Sequence, residues 1–114
     1  PLPPFGDVGR LTQLSCEMIH DAILAFARSD TRLAREICVR DDVVDALKDE
    51  LQQALIALMR ENPDYVNPAV SMLLVVRNLE RMGDLATNIS EDVVHMVEGV
   101  IIKHHHEEEL RDQA

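Results

Sequence analysis

Between Asp30 and Pro63 the chain holds neither glycine nor proline, and over that stretch Ala34, Ile37, Val44, Leu47, Leu51, Ala54, Leu55 and Leu58 keep to one side of a helix. Strands alternate their faces every second residue and rarely pass about ten residues, so a run of this length and period excludes a sheet. It predicts one helix of about thirty residues, roughly 45 Å long. The oxygens of Ser29, Asp30 and Thr31 can accept from its free first amides, and the two prolines of ENPDYVNP end it. An apolar stripe of that length is buried only against other helices, so the fold class is set before any motif is read.

The flanking segments supply the partners. Leu11, Leu14, Met18, Ala22 and Ala25, joined by Ile19 and Phe26, recur at three- and four-residue steps and predict a first helix from about Val8 to Arg28. Asn67 followed by Pro68 reads as a capping side chain before a proline at the first helical position. A third helix then runs to about Glu98, with Val75, Leu79, Met82, Ala86, Ile89, Val93, Val97 and Val100 as its buried face and Gly99 as its stop. Gly83 interrupts it at about 1 kcal/mol of helix propensity relative to alanine, which asks for a packing or functional reason. The expectation is an all-α, antiparallel three-helix up-down-up bundle: residues 1–9 a linker (PLPPFGDVG), 10–100 the bundle, 101–114 a flexible polar tail containing HHHEEE. A start at Pro1 rather than Met suggests that upstream chain is missing.

With 114 residues the chain can bury roughly two thirds of its unfolded surface. Only Phe5, Phe26 and Tyr65 are aromatic, so the core has to be aliphatic. Twenty-one acids against eleven Lys and Arg give a formal charge of −10, which repels phosphate backbones and anionic lipid and argues against nucleic acid as a partner. No apolar run approaches the roughly 20 residues that span a bilayer, so the segment reads as a cytoplasmic one without membrane insertion. Cys16 and Cys38 are not spaced as a pair and sit among apolar neighbours, as buried thiols of a reducing compartment would.

The chemistry concentrates in RNLERMGDLATNISE, residues 77–91. At 100° per residue Arg77, Glu80, Arg81, Asp84, Asn88 and Glu91 share a sector of about 100°, opposite the apolar face. On the second helix Asp41 and Asp45 stand one turn apart, with Asp42 beside them and Asp49 a turn further on. Acids one turn apart repel by a few tenths of a kcal/mol, and a hard cation bridging carboxylates of neighbouring helices would offset that. The competing reading is a solvated face on which Arg77 and Arg81 answer Glu80 and Asp84 through salt bridges. His20 and His95 fall on solvent faces. The chain lacks a Gly-rich phosphate loop and a nucleophile motif, and no Glu-x-x-His pair starts from Glu80 or Glu91, so enzymatic catalysis is the minority reading, with a carboxylate-bridged metalloenzyme as its form.

LERMGDLATNISEDVVHMVEG resembles the closing signature of the PhoU family, bacterial phosphate-transport accessory proteins whose helices carry E(D)-x-x-x-D metal motifs. Glu80 and Asp84 fall on that motif, Arg77, Gly83, Asn88 and Glu91 fit around it, and RDDVVDALKDEL places a companion D-x-x-x-D at Asp41 and Asp45. Members usually carry two three-helix repeats, and this chain looks like the second. The resemblance implies a negative regulator of the phosphate regulon that links the ATPase of a phosphate-specific ABC transporter to a sensor histidine kinase. It further implies a homodimer of the full-length protein, and iron or zinc bound in clusters on the helix surface; carboxylates accept magnesium or manganese as well. The same module also occurs appended to other transporters, such as a sodium–phosphate symporter or a potassium-uptake protein, and that remains the alternative.

Overall fold

The described residues form three helices, α1 (Gly6–Arg28), α2 (Thr31–Glu61) and α3 (Val66–Gln113), with a 3-10 turn (Pro63–Tyr65) before the last. The computed structural model describes the backbone of residues 6–113 and the side-chain surroundings of residues 7–99. Residues 1–5 of the predicted linker, and the side chains of Val100 and of the tail with His104, His105 and His106, lie outside the described residues.

Each helix buries a seam at alternating three- and four-residue steps, the spacing that keeps one stripe facing its neighbours along nearly antiparallel helices. On α1 the seam is Val8, Leu11, Ser15, Met18, Ala22 and Ala25; on α3 it includes Ala69, Val76, Leu79, Ala86, Ser90 and Val93, with Gly83 buried among them. On α2 the buried members are Ala34, Ile37, Val44, Leu51 and Leu55. The same stepping on α2 passes through Asp41 and Lys48, so two charged side chains hold seam positions, both half-buried.

The α1–α2 turn closes as the caps require. Asp30 N–H donates to the Ala25 carbonyl at 2.9 Å and Ser29 N–H to that of Phe26 at 3.3 Å. These are the paired bonds of a Schellman turn, with Ser29 at φ 52° where glycine is commoner. Asp30 then starts α2, its Oδ1 accepting from Leu33 N–H at 3.0 Å. One residue thus closes one helix and opens the next. Asp30→Ala is expected to lower the unfolding free energy by about 1 kcal/mol, measured by urea denaturation.

Several expectations are corrected. α1 already includes Gly6 and Asp7, ahead of the expected start at Val8 and within the stretch proposed as a linker. Asn67 does not open α3: the chain breaks at Asn62 (φ −136°, ψ 97°), Pro63 starts the 3-10 turn and Val66 is already helical. Pro68 is harmless there because the first-turn amides have no helical acceptor. Gly99 does not end α3 either, since no described glycine takes the positive φ of a helix stop. The buried face of α3 turns by one residue from the expected one: Val76, Gly83 and Ser90 replace Val75, Met82 and Ile89 at its centre, and Val75 is 42% exposed. Small residues hold the centre, and their larger neighbours pack against the flanks.

Phe26 is exposed rather than part of the α1 line, and Ala54 is exposed on α2. Neither cysteine is buried. Cys16 is exposed and Cys38 half-buried, and both are free, because each stands one residue, about 100° of helix, beyond a seam member, Ser15 and Ile37.

Candidate metal-binding face

The seam of α2 lays Asp41 against α3 at Gly83, where α3 has no side chain. A β-carbon built on Gly83 would meet Asp41 Oδ1 at 3.6 Å, an ordinary contact. Glycine is therefore not required sterically for the Asp41 carboxylate to approach α3 beside Asp84. Gly83→Ala, which regains helix propensity at that contact distance, is expected to stabilise the fold by up to about 1 kcal/mol in denaturant titration.

No hydrogen bond or ion pair reaches the Asp41 carboxylate among the described residues. Its pKa is raised, first by burial, then by the charges of Asp45, Asp84 and Asp42, with Lys48 opposing. A raised carboxylate makes its best contribution to folding below the ordinary carboxylate range and loses it as pH climbs through the folded value. Asp41→Asn removes the charge and the one-turn repulsion from Asp45. It is expected to gain a few tenths of a kcal/mol at pH 7, shrinking toward zero as pH falls to about 4, by urea denaturation at both pH values.

About two turns further along α2, Lys48 gathers three other acids. Its Nζ donates to Glu80 Oε1 at 3.2 Å and lies 3.8 Å from Asp45 Oδ1 and 3.9 Å from Asp49 Oδ1. Only 15% of the Lys48 side chain is exposed. Burial by itself would lower its pKa, but the Glu80 hydrogen bond and the charges of Glu80, Asp45 and Asp49 outweigh that and raise it.

The four acids singled out by spacing therefore lie in two groups along the α2–α3 interface. Asp41 faces Asp84 electrostatically, and Lys48 joins Asp45 to Glu80. Asp84 is exposed, Glu80 and Asp45 are half-buried. Arg77 and Arg81 are exposed and pair with neither acid among the described residues, so the expected arginine neutralisation is replaced by a lysine from the other helix. One-turn spacing of acids does not single out Lys48, which stands among them on α2. Its signal was the seven-residue gap between Ile37 and Val44, which puts Asp41, and then Lys48, on the buried line.

The supporting residues divide. Asn88 is exposed on the same side of α3. Glu91 lies further along and lines a hollow of about 210 Å³ with Arg35, Cys38, Val94 and His95; burial, then the Glu91 charge, pushes the Cys38 thiol up. His20 and His95 are exposed, as expected.

The donor set suits a hard cation: carboxylate oxygens of Asp41, Asp45, Glu80 and Asp84, one of them half-buried with no cation of its own. Among the described residues, no three Asp, Glu, His or Cys side chains converge closely enough to hold an ion as they stand. The fit is thus one of chemistry and helix placement, and the Lys48 ammonium occupies the space between Asp45 and Glu80.

A family profile described as the PhoU domain matches residues 8–93, which include both acid pairs and the glycine between them. The chain belongs to the PhoU family. It is 36% identical over 110 residues to a phosphate-specific transport system accessory protein PhoU homolog 2 of Thermotoga maritima, covering 96% of this chain and 47% of that protein. A PhoU homolog of Aquifex aeolicus is 33% identical over 106 residues (93% and 48%), and one of Xylella fastidiosa 32% over 99 residues (87% and 42%). The chain spans about half the length of the curated relatives it matches. In this PhoU domain no helix of the described residues is long and apolar enough to cross a membrane.

Proposed function

We propose that this PhoU domain is a metal-binding regulatory adaptor of phosphate uptake. In this reading it couples the ATPase of a phosphate-specific ABC transporter to a sensor histidine kinase in the cytoplasm and restrains the phosphate regulon, without catalysing a reaction. Family membership and the names of its relatives support the transport role. The observation that carries the metal reading is the half-buried Asp41 carboxylate, set against Asp84 of the neighbouring helix with no cation beside it.

Asp41 and Asp84 would hold the ion, with Asp45 and Glu80 as further oxygen donors. A bound cation supplies positive charge that neutralises the repulsion between α2 and α3 and fixes their relative position. Iron or zinc, the ions of the family resemblance, and magnesium or manganese all accept this donor set, with availability deciding among them. The chain's own residues do the rest: the aliphatic seams keep the antiparallel helices packed side by side, with the acids at the α2–α3 edge. A net charge of −10 directs the acidic face toward basic protein surfaces rather than nucleic acid. In the full-length protein a homodimer would present two such faces.

The test is elemental analysis of untagged protein, together with co-purification of the full-length protein with the transporter ATPase and the kinase. About one or more equivalents of transition metal and association with both proteins are expected. Metal-free protein that ignores both partners, with or without added metal, overturns the proposal.

A further inference from the structure

We propose that Lys48 is a built-in counter-cation of the acidic face: its ammonium holds Glu80, Asp45 and Asp49 together while no ion is bound and has to leave them when one binds. The inference rests on the metal-binding reading given above and adds a competitor to it. Three observations carry it.

First, among the described residues Lys48 is the one cation bridging the two helices at this face, 3.2 Å from Glu80 on α3 and within 4 Å of Asp45 and Asp49 on α2. Second, Lys48 occupies a seam position, so its stem is held between α2 and α3 and only its tip reaches the acids; 15% of the side chain is exposed. An ammonium so anchored returns to the same oxygens whenever they are vacant. Third, Asp41 has no hydrogen bond or ion pair among the described residues, and it feels the charge of Asp84 on α3. One lysine therefore neutralises one end of the carboxylate ladder and leaves the other end open.

A divalent ion bound by carboxylate oxygens sits about 2.0–2.6 Å from them. Sharing Glu80 or Asp45 with the ammonium would put like charges within about 5 Å of each other at a site only partly screened by water. Entry of the ion is accordingly an exchange, in which the flexible four-carbon stem lets the ammonium swing toward solvent. The lysine has two consequences: it keeps the metal-free interface assembled, and it weakens the affinity for the ion. The acids are held near one another before the ion arrives, so the helices need little rearrangement when it does.

The experiment is calorimetric titration of Mn²⁺ and Zn²⁺ into the full chain and its Lys48→Gln and Lys48→Arg variants, with thermal unfolding of each before and after metal. Lys48→Gln keeps most of the buried stem and removes the charge. It is expected to bind Mn²⁺ roughly tenfold or more tightly than the wild type, since a unit charge close to the site is gone. Without metal it should melt below the wild type, and with metal it should recover the difference. Lys48→Arg keeps the charge and should show no gain in affinity.

Wild-type binding that Lys48→Gln leaves unchanged or weakens overturns the role of Lys48 alone and spares the metal reading. An equal gain in Lys48→Arg shows that size rather than charge is the cause, and overturns it too. If neither the wild type nor Lys48→Gln takes up Mn²⁺ or Zn²⁺, the metal reading falls and this inference with it. A merely structural lysine would lower the melting temperature of Lys48→Gln without the opposite change in affinity.

Discussion

Leu79→Ala is expected to lower the unfolding free energy by about 2–5 kcal/mol, the largest stability change foreseen for a single substitution in this chain. Leu79 is 6% exposed at the seam of α3, and it packs in the main core with Leu11, Met18, Ile37, Val44 and Leu55. The surrounding core relaxes only in part around the lost carbons, so a cavity term adds to the transfer term. Val75→Ala is the companion measurement. Val75 lies on the face the periodicity favours but is 42% exposed, so its truncation should stay within about 0.5 kcal/mol. Urea denaturation of both variants distinguishes the two rotations of α3. Equal losses at the two positions would contradict the seam described above.

The near agreement on α1 and α2 and the one-residue rotation on α3 have a common physical origin. Apolar periodicity weighs large side chains most, and on α1 and α2 the large residues Leu11, Met18, Ile37, Val44, Leu51 and Leu55 are themselves the seam. On α3 the centre of the buried face carries Gly83, Ala86 and Ser90, which contribute little hydrophobic weight but permit close approach of the neighbouring helices. Val75, Met82 and Ile89, one position earlier, pull the apparent face toward themselves.

The same effect explains how the acids were legible and the lysine was not. Asp41, Asp45, Glu80 and Asp84 announce themselves by one-turn spacing within each helix. Which of their neighbours would answer them depends on how α2 turns toward α3. A seam that admits Asp41 and Lys48 is an exception to apolar patterning, and such exceptions are where a fold carries something besides stability. The helix ends divide along similar lines: Asp30 caps through its own side chain, a local event, whereas the start of α3 depends on Asn62 and Pro63 ahead of it.

Asp84→Ala is expected to weaken Mn²⁺ or Zn²⁺ binding about 100-fold or more, because removing a direct oxygen donor should exceed the 10- to 100-fold cost usual for groups that only orient ligands. Helix content by circular dichroism should stay unchanged, since Asp84 is exposed and its carboxylate holds no hydrogen bond among the described residues; its backbone carbonyl accepts from Thr87 Oγ1 at 2.9 Å. The substitution also takes away one of the charges that raise the Asp41 pKa. Metal-free Asp84→Ala is therefore expected to be no less stable than the wild type, and slightly more so at pH 7. That opposition, equal or better folding with lost ion binding, separates a face shaped for a cation from one that is only solvated. A solvated face predicts unchanged titration curves for Asp84→Ala, and a structural carboxylate predicts loss of helix; either result removes Asp84 from the site.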